Sequence, residues 1–372
     1  MDFDSSTPTI SVAGIDRDGR ADSFTIIELL VAISILVVLL VLASQVISRT
    51  SVLWIYSNYK MTQAREARVG FDALISRLSA ATVDSYYGYQ YAPEATGQYT
   101  ATGLYVPTNY TRRSELRFIS GPAGDLTGLS SCPTHAVFFL APFGIVSDTA
   151  NYGQLPGLLN IFGFYIQWSN VDLERPSILS GTDSYRFRLM QFIQPADSMA
   201  LYSLTTNYPT YTQVTTSPSW QLKALSASPS GIRPLANNVV ALLLLPVLKP
   251  TALNTTDNPL VAPGFLYNSE IAPISATPFT SPVNRLPPVI RVIMYTIDDK
   301  SAKRLPQTAA VPNLYVDSSS NPLFVDPAKL FPNPPDIGDL QRFENTLTAN
   351  KLAFRRFEAT VQPPPQPWNT RN

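Results

Sequence analysis

Cysteine and histidine are almost absent from this chain of 372 residues, which has one of each, Cys132 and His135. One cysteine forms no internal disulfide and cannot build a cysteine-rich zinc site. A Ser–His–Asp triad or a multi-histidine metal site would have to use His135, and a histidine at the start of an apolar strand is more often structural. A proline lies between Cys132 and His135, and nothing in this spacing brings the thiol to the imidazole.

Charge is scarce as well. Charged residues make up 15% of the chain, with 27 basic and 27 acidic side chains. A net charge near zero gives no electrostatic reason to expect a nucleic acid as partner. The chain also has no glycine-rich nucleotide-binding motif and no G-x-S-x-G motif. We therefore predict that the protein is not an enzyme and that it has no catalytic residues, no cofactor and no metal site.

Apolar residues and proline are plentiful. Apolar residues make up 45% of the chain, which is enough for a sizeable core, and the 33 prolines are nearly twice the average share. Proline is excluded from helix interiors and central strands, so this composition favours many loops and short strands over a helical bundle.

The most apolar stretch lies near the N-terminus. Residues 1–23 are polar and are predicted to be a cytoplasmic leader, whereas residues 24–46 contain a single charge, Glu28. As a helix, that stretch is long enough to cross a bilayer. No helix breaker follows, so we predict that the helix continues in amphipathic form over residues 47–83. Four apolar residues at helical spacing are predicted to pack this half on the rest of the protein: Phe71, Leu74, Ile75 and Leu78.

Beyond the helix the pattern changes to strands, and we predict an α+β protein with a mostly antiparallel sheet in a head domain over residues 84–362. Predicted strands cover 115–120, 135–144, 161–169, 185–194, 237–248, 288–298 and 352–361. Polar residues alternate with apolar ones in 185–194, which predicts one water-exposed face there. A long proline-rich excursion is predicted between residues 246 and 288. A short helix over 336–349 should end at Asn350, and residues 363–372 form a proline-rich tail.

The residue order at the start of the apolar run, SFTIIELLVAISIL, resembles the type IV prepilin signature, in which a small residue precedes Phe, Thr, an apolar pair, Glu and a long apolar run. The resemblance implies that a prepilin peptidase cuts between Ser23 and Phe24 and methylates the new amine of Phe24. It also implies that Thr25 and Glu28 belong to an assembly motif.

Elementary electrostatics gives Glu28 a role in such an assembly. Its flanking residues are apolar, so we expect no partner for its carboxylate within its own helix, and an unpaired charge in lipid is costly. If subunits stack helix beside helix, the α-ammonium group that cleavage creates at Phe24 of one subunit can approach Glu28 of the next subunit. At about 4 Å and an effective dielectric constant of about 20, such a pair attracts by about 4 kcal/mol before desolvation is subtracted.

Later segments extend the resemblance over most of the chain. In order, the long helix, ELRFISGPAG, HAVFFLAPFG, YRFRLMQFIQPADSMALY, NVVALLLLPVL, LPPVIRVIMYTIDDKSAKRL and NKLAFRRFEATV are similar to the Verru/Chthon cassette protein C family of prepilin-like proteins. The layout is also similar to minor pseudopilin J of type II secretion. The resemblance implies a structural subunit of a type IV pilus or secretion-like filament, with a prepilin peptidase and other prepilin-like subunits as partners. It further implies a single-pass protein of the cytoplasmic (inner) membrane, with its C-terminal domain extracytoplasmic.

A second interpretation of the same N-terminal stretch remains open. Val41 and Ala43 are small residues at the spacing of an ordinary signal-peptidase site, and cleavage there would release residues 44–372. Alternatively, Glu28 is an interfacial carboxylate in a plain signal anchor. Either case predicts an exported binding or enzymatic domain rather than a filament subunit.

Overall fold

The structure is a computed structural model, and it describes residues 25–91, 107–171, 184–199, 220–247, 261–270, 281–331 and 337–364. The predicted leader and most of the predicted tail lie outside these residues. The chain divides into two compact units, Met1–Tyr59 and Lys60–Asn372, and the boundary falls within the first helix.

Six α-helices and eleven strands occur in the described part of the chain. The helices are α1 (Ile26–Ser79), α2 (Ala123–Thr127), α3 (Thr149–Tyr152), α4 (Trp220–Ala227), α5 (Asp299–Ala302) and α6 (Asp339–Ala349). The strands are β1 (Tyr86–Tyr91), β2 (Pro107–Arg113), β3 (Phe118–Pro122), β4 (His135–Pro142), β5 (Leu159–Asn170), β6 (Tyr185–Gln194), β7 (Ile232–Asn237), β8 (Val239–Val247), β9 (Tyr267–Asn268), β10 (Val289–Ile297) and β11 (Phe354–Val361).

These strands form three antiparallel sheets. Six of them follow the order β7-β6-β5-β4-β3-β9, three follow the order β11-β10-β8, and β1 and β2 form a separate two-stranded hairpin. Every pairing between named strands is antiparallel. The protein is therefore α+β, with an apolar N-terminal helix and antiparallel sheets, as the sequence pattern predicted.

The predicted helix 24–83 differs from α1 at both ends. Thr25 precedes the first helical turn. At the other end, the amides of Ala80 and Ala81 each donate a hydrogen bond to the carbonyl three residues earlier, which tightens the last turn. The next residues leave the helix because the amide of Thr82 donates to the carbonyl of Leu140 in β4, at 2.9 Å. A backbone bond to a sheet thus replaces the last predicted turn.

The long strands lie close to where the sequence placed them, and β6 has the predicted bounds. The prediction that β6 has a water-exposed face was wrong. Arg188 and Gln191 are both buried, and the guanidinium Nε of Arg188 donates to the hydroxyl of Ser169 on the neighbouring strand at 2.9 Å. A polar residue that alternates with apolar ones can therefore face a covered side of the sheet when it finds a hydrogen-bond partner.

The core lies on the six-stranded sheet and is rich in aromatic rings. Phe118, Phe139 and Phe162 stack across three neighbouring strands with centroid distances of 6.4 and 5.9 Å. Apolar residues of α1 join this core, and Phe71 of α1 contacts Phe357 of β11 with ring centroids 5.8 Å apart. Residues from near the beginning and near the end of the head thus pack against each other.

The free edge of β8 is closed by side chains instead of a fourth strand. The amide of Leu242 donates to the hydroxyl of Thr134 at 3.2 Å, and the amide of Leu244 donates to Nδ1 of His135 at 3.1 Å. The hydroxyl of Tyr315 donates to the carbonyl of Val240 at 2.6 Å. These bonds satisfy backbone groups that an open edge would leave unpaired, and they tie the three-stranded sheet to β4 of the larger sheet.

Candidate functional site

The first turn of α1 is closed by two side chains that the prepilin-like motif singled out. The amide and the hydroxyl of Thr25 each donate to Oε2 of Glu28 at 3.2 Å, and the amide of Glu28 donates to Oγ1 of Thr25 at 3.3 Å. This reciprocal pattern is a capping box, with Thr25 at the N-cap and Glu28 at the third helical position. It satisfies amide groups that the start of a helix leaves without partners.

The expectation that Glu28 has no partner within its own helix was therefore wrong. Its carboxylate reaches back over one turn to Thr25, the polar residue that stands just before the helix. The spacing T-x-x-E carries this information, and sequence reasoning overlooked it. Ser23 and Phe24, the residues that flank the predicted cleavage bond, lie outside the described residues.

The segment that follows the cap is apolar and exposed. Within the described residues, Ile26–Ile55 is the one stretch long and apolar enough to cross a membrane, and none of its most apolar window is buried inside the protein. Val41 and Ala43, the residues of the alternative signal-peptidase site, lie in the same exposed stretch. By length and composition, this stretch could cross a membrane.

The later part of α1 belongs to the head and contributes to its core. Phe71, Leu74 and Leu78 are buried, with 5%, 0% and 0% of their surface exposed, and Ile75 packs against the same core from a partly exposed position. Their spacing places them on one side of the helix, and Ala67 adds a buried residue one turn earlier. Arg68, Asp72 and Ser76 are exposed.

Two contacts fix α1 against the edge strand β7. Gly70 lies so close to this strand that a Cβ atom added to it would be 3.0 Å from Cβ of Ala236. One turn earlier, Oε1 of Glu66 accepts a hydrogen bond from the side-chain amide of Asn237 at 3.0 Å and one from its backbone amide at 3.3 Å. Because Gly70 has no side chain, α1 can lie this close to β7. The Glu66 carboxylate accepts hydrogen bonds from the backbone and the side chain of Asn237 in β7.

Arg77 lies at the last turn of α1, above the aromatic core. Its guanidinium carbon is 5.6 Å from the centroid of the Phe162 ring, and its Nη1 atom is buried without a hydrogen-bond partner among the described residues. Burial lowers the pKa of Arg77 below its usual value. A cation above an aromatic face, at the C-terminal end of a helix, is favoured both by the ring and by the helix dipole.

The single histidine has a structural environment. His135 is buried between the two sheets, accepts from Leu244 through Nδ1, and has Nε2 3.4 Å from the carbonyl of Phe324. Its ring lies 4.3 Å from that of Phe265. Burial lowers the pKa of His135 to about 4, so the ring is neutral at pH 7 and its Nε2–H faces the Phe324 carbonyl.

Cys132 does not form a nucleophilic pair with this histidine. The thiol is buried, burial raises its pKa, and its hydrogen-bonding neighbours are Thr127 and Ser131. Both nitrogens of His135 are directed at backbone groups. Within the described part of the chain, no cluster of histidine, cysteine and carboxylate side chains is arranged to hold a metal ion.

Comparison with known proteins adds no further candidate, because no family model, curated protein or solved structure matches this chain. The candidate site is therefore defined by its own features: the Thr25–Glu28 cap, the exposed apolar stretch and the buried end of the same helix.

Proposed function

We propose that this protein is a minor pilin-like or pseudopilin-like structural subunit, processed and N-methylated by a prepilin peptidase and assembled through α1 into a type IV pilus or a type II secretion-like filament. The observation that carries the proposal is the combination found in α1. A prepilin-like residue order begins the helix, an exposed apolar stretch follows, and the last turns of the helix belong to the core of the head.

The exposed stretch supports assembly because its apolar surface can be covered in two environments. Before assembly, lipid covers a single apolar helix. Within a filament, the apolar helices of neighbouring subunits cover it. The buried residues of α1 near its end link that stretch to the head by a shared helix, so a subunit held by its apolar stretch carries its head with it.

The cap refines the role proposed for Glu28. Hydrogen bonds from the neutral Thr25 groups satisfy the carboxylate geometrically but leave its negative charge in place. The bonds involve atoms of Thr25 and Glu28 alone, so cleavage before Phe24 leaves them intact. The charge would then be neutralised by the ammonium group of a neighbouring subunit, which makes assembly register-specific.

Substitution at Glu28 separates capping from charge. Glu28→Gln keeps an oxygen that accepts from Thr25, whereas Glu28→Ala removes both the acceptor and the charge. Each form of the full chain would be expressed in its host with a photoreactive residue at Leu36 in the exposed stretch. Crosslinking and mass spectrometry would then identify the neighbours. We expect the native chain to crosslink to other prepilin-like subunits and both variants to lose most of these products.

One outcome contradicts the role proposed for the charge of Glu28, and two contradict the proposed function. Native crosslinking by Glu28→Gln with loss by Glu28→Ala would show that the residue acts as a helix cap alone. A mature N-terminus at Ser44 or at Met1 would show an exported or anchored domain instead. Absence of prepilin-like neighbours around the native chain would exclude a filament subunit.

A further inference from the structure

The last turns of α1 cross one face of the six-stranded sheet. Gly70 lies beside Leu189 of β6, and a Cβ atom added to it would be 3.6 Å from the Cδ2 atom of that leucine. Two turns later, the guanidinium carbon of Arg77 is 5.6 Å from the centroid of the Phe162 ring on β5. The side chains of β5 and β6 on this face therefore lie beside the end of the helix.

Gln191 belongs to the same face. It lies two residues beyond Leu189 on β6, and it pairs with Phe164, two residues from Phe162 on β5. Residues two apart on a strand share a face, and so do directly paired residues of antiparallel strands. Because Phe162 pairs with Ile193, Gln191 lies, along the strands, between the two levels at which α1 contacts the sheet.

Arg77 and Gln191 each carry a buried nitrogen that lacks an acceptor. The atoms are Nη1 of Arg77 and Nε2 of Gln191, and neither has a hydrogen-bond partner among the described residues. The glutamine is 7% exposed, so water has little access to its amide. Burial alone lowers the pKa of Arg77, and no nearby carboxylate of the described chain opposes that effect. Buried donors without acceptors are costly and rare, and two on one face call for an acceptor from outside.

Arg233 adds a second cation at the open side of this face. It is exposed on the edge strand β7 and pairs with Gln191, so the two side chains share a face. The ion pairs formed within the described ranges do not include Arg233 or Arg77. Two cations without a counter-charge favour an anionic ligand between them.

The surroundings favour a carboxylate over a phosphate. The planar fork of arginine suits a carboxylate, and the two unpaired buried nitrogens match its two oxygens. The floor of the site is apolar, with Phe162 fully buried and Ile193 partly buried against the core. A singly charged group is less costly to desolvate there than a phosphate, which carries nearly twice the charge. An apolar group beside the carboxylate would cover Ile193.

We propose that Arg77, Gln191 and Arg233 form a binding site for a monocarboxylate that has an apolar group beside its carboxylate. Both a small organic acid and an acidic side chain of another polypeptide offer this chemistry. The inference goes beyond the proposed role in assembly and does not depend on it.

Chemical protection of Arg77 tests the site in the full chain in detergent. Phenylglyoxal modifies arginine side chains, and mass spectrometry of peptides gives the rate at each arginine. The probes are butyrate and the tripeptide acetyl-Leu-Glu-Leu-amide, with butyramide and the corresponding glutamine tripeptide as neutral controls and inorganic phosphate as the other anion. We expect both carboxylates to slow modification of Arg77 saturably, with no effect at Arg68, an exposed arginine of the same helix.

The two carboxylate probes distinguish the sources of the ligand. Half-protection at a lower concentration of the tripeptide would identify an acidic side chain of another polypeptide. Half-protection at a lower concentration of butyrate would identify a small organic acid. The neutral controls should give no protection, and phosphate should require about tenfold more than butyrate.

Variants of Gln191 locate the site without removing the arginine that is measured. Gln191→Leu removes the amide and should raise the half-protecting concentration about tenfold, the usual cost of one hydrogen bond to a charged group. Gln191→Glu places a carboxylate in the site and should slow modification of Arg77 without any ligand. Gln167→Leu, on the opposite face of the same sheet, is the matched control and should behave like the native chain. Unchanged thermal unfolding would show that each variant folds normally.

Four results would overturn the proposal. Absence of protection by both carboxylates would show that water alone satisfies the two donors. Equal protection by the neutral controls would exclude recognition of charge, and equal protection by phosphate would exclude selection of a carboxylate. Native half-protecting concentrations in a folded Gln191→Leu variant would place the carboxylate elsewhere.

Discussion

Gly70 and Ala236 bring α1 and β7 so close together that a single added carbon on Gly70 would lie 3.0 Å from the Ala236 side chain. The neighbouring atoms around the missing side chain belong to Leu189 and Leu235, at 3.6 and 3.7 Å. Ala236 has no flexible end that could move aside, so any larger residue at position 70 must displace the helix from the strand.

Gly70→Leu is therefore expected to destabilise the head by about 1–3 kcal/mol, the usual cost of forcing extra volume into a packed contact. The gain in helix propensity over glycine, about 1 kcal/mol, offsets part of this cost. Urea unfolding of the fragment 52–372, which we expect to be soluble, would measure the change. Val69→Leu, at the neighbouring exposed position, is the matched control and should unfold like the native fragment. Native stability of Gly70→Leu would contradict the close contact.

Leu74→Ala and Leu78→Ala should each destabilise the head by about 2–5 kcal/mol, because both side chains are fully buried and truncation leaves a cavity. The same unfolding experiment on fragment 52–372 measures this. Asp72→Ala and Ser76→Ala, on the exposed side of the helix, serve as controls. If the leucine variants behaved like these controls, the end of α1 would act as a surface for neighbouring subunits and would not be part of the core of its own head.

Acid should destabilise the head through His135. Its pKa is about 4 in the folded protein and near 6.5 when unfolded, so the unfolded chain binds an additional proton between these values. The stabilisation is complete above pH 6.5 and is lost as the pH falls towards 4. At about 1.4 kcal/mol per pH unit, the loss amounts to about 2 kcal/mol on going from neutral pH to about pH 5.

The chain has one histidine, but burial also raises the pKa of Asp339, so a variant at His135 is needed to assign the slope in this range. Urea unfolding of fragment 52–372 at several pH values between 7.5 and 5 would measure the slope. His135→Gln removes the titrating group and should flatten the dependence, although it lowers the stability at every pH. An equal slope in the native and the variant fragment would assign the acid sensitivity to other groups.

Processing at Ser23 can be examined separately from assembly. Ser23→Lys places a long charged side chain next to the bond where the prepilin-like motif predicts cleavage, and it should leave the leader attached. Ser23→Gly introduces the residue usual in that family and should be processed at least as well as the native chain. The intact mass of each variant purified from membranes shows whether its leader has been removed. A native mature mass for Ser23→Lys would exclude cleavage at this bond.

The long strands were predictable because their residues are apolar over many consecutive positions. The sheets bury β8 and β10 on both faces, and runs of that kind are visible in a sequence. The strands β1, β2, β7 and β9 were missed because they are short, polar or at an edge, and β7 contains a proline that disfavours a strand. Edge strands derive their pairing from a neighbour that the sequence does not reveal.

The candidate site was predictable to a similar degree. The apolar stretch and the buried residues at the end of α1 follow from periodicity, and Thr25 and Glu28 follow from the motif. The capping box is visible as T-x-x-E, but the charge of Glu28 alone does not predict it. The closeness of Gly70 to Ala236 and the hydrogen bonds of Glu66 to Asn237 depend on how a helix lies on a distant strand, which residue spacing does not encode.

The contact between Phe71 and Phe357 has a consequence for the order of synthesis. Residues near the two ends of the head must meet to complete one core, and the edge of β8 lacks the hydrogen bond to Val240 until Tyr315 has been synthesised. Until then the apolar strands β4, β5 and β8 lack part of their cover, which exposes the nascent chain to aggregation and makes folding slow. The head therefore completes its core only after β11 has been synthesised.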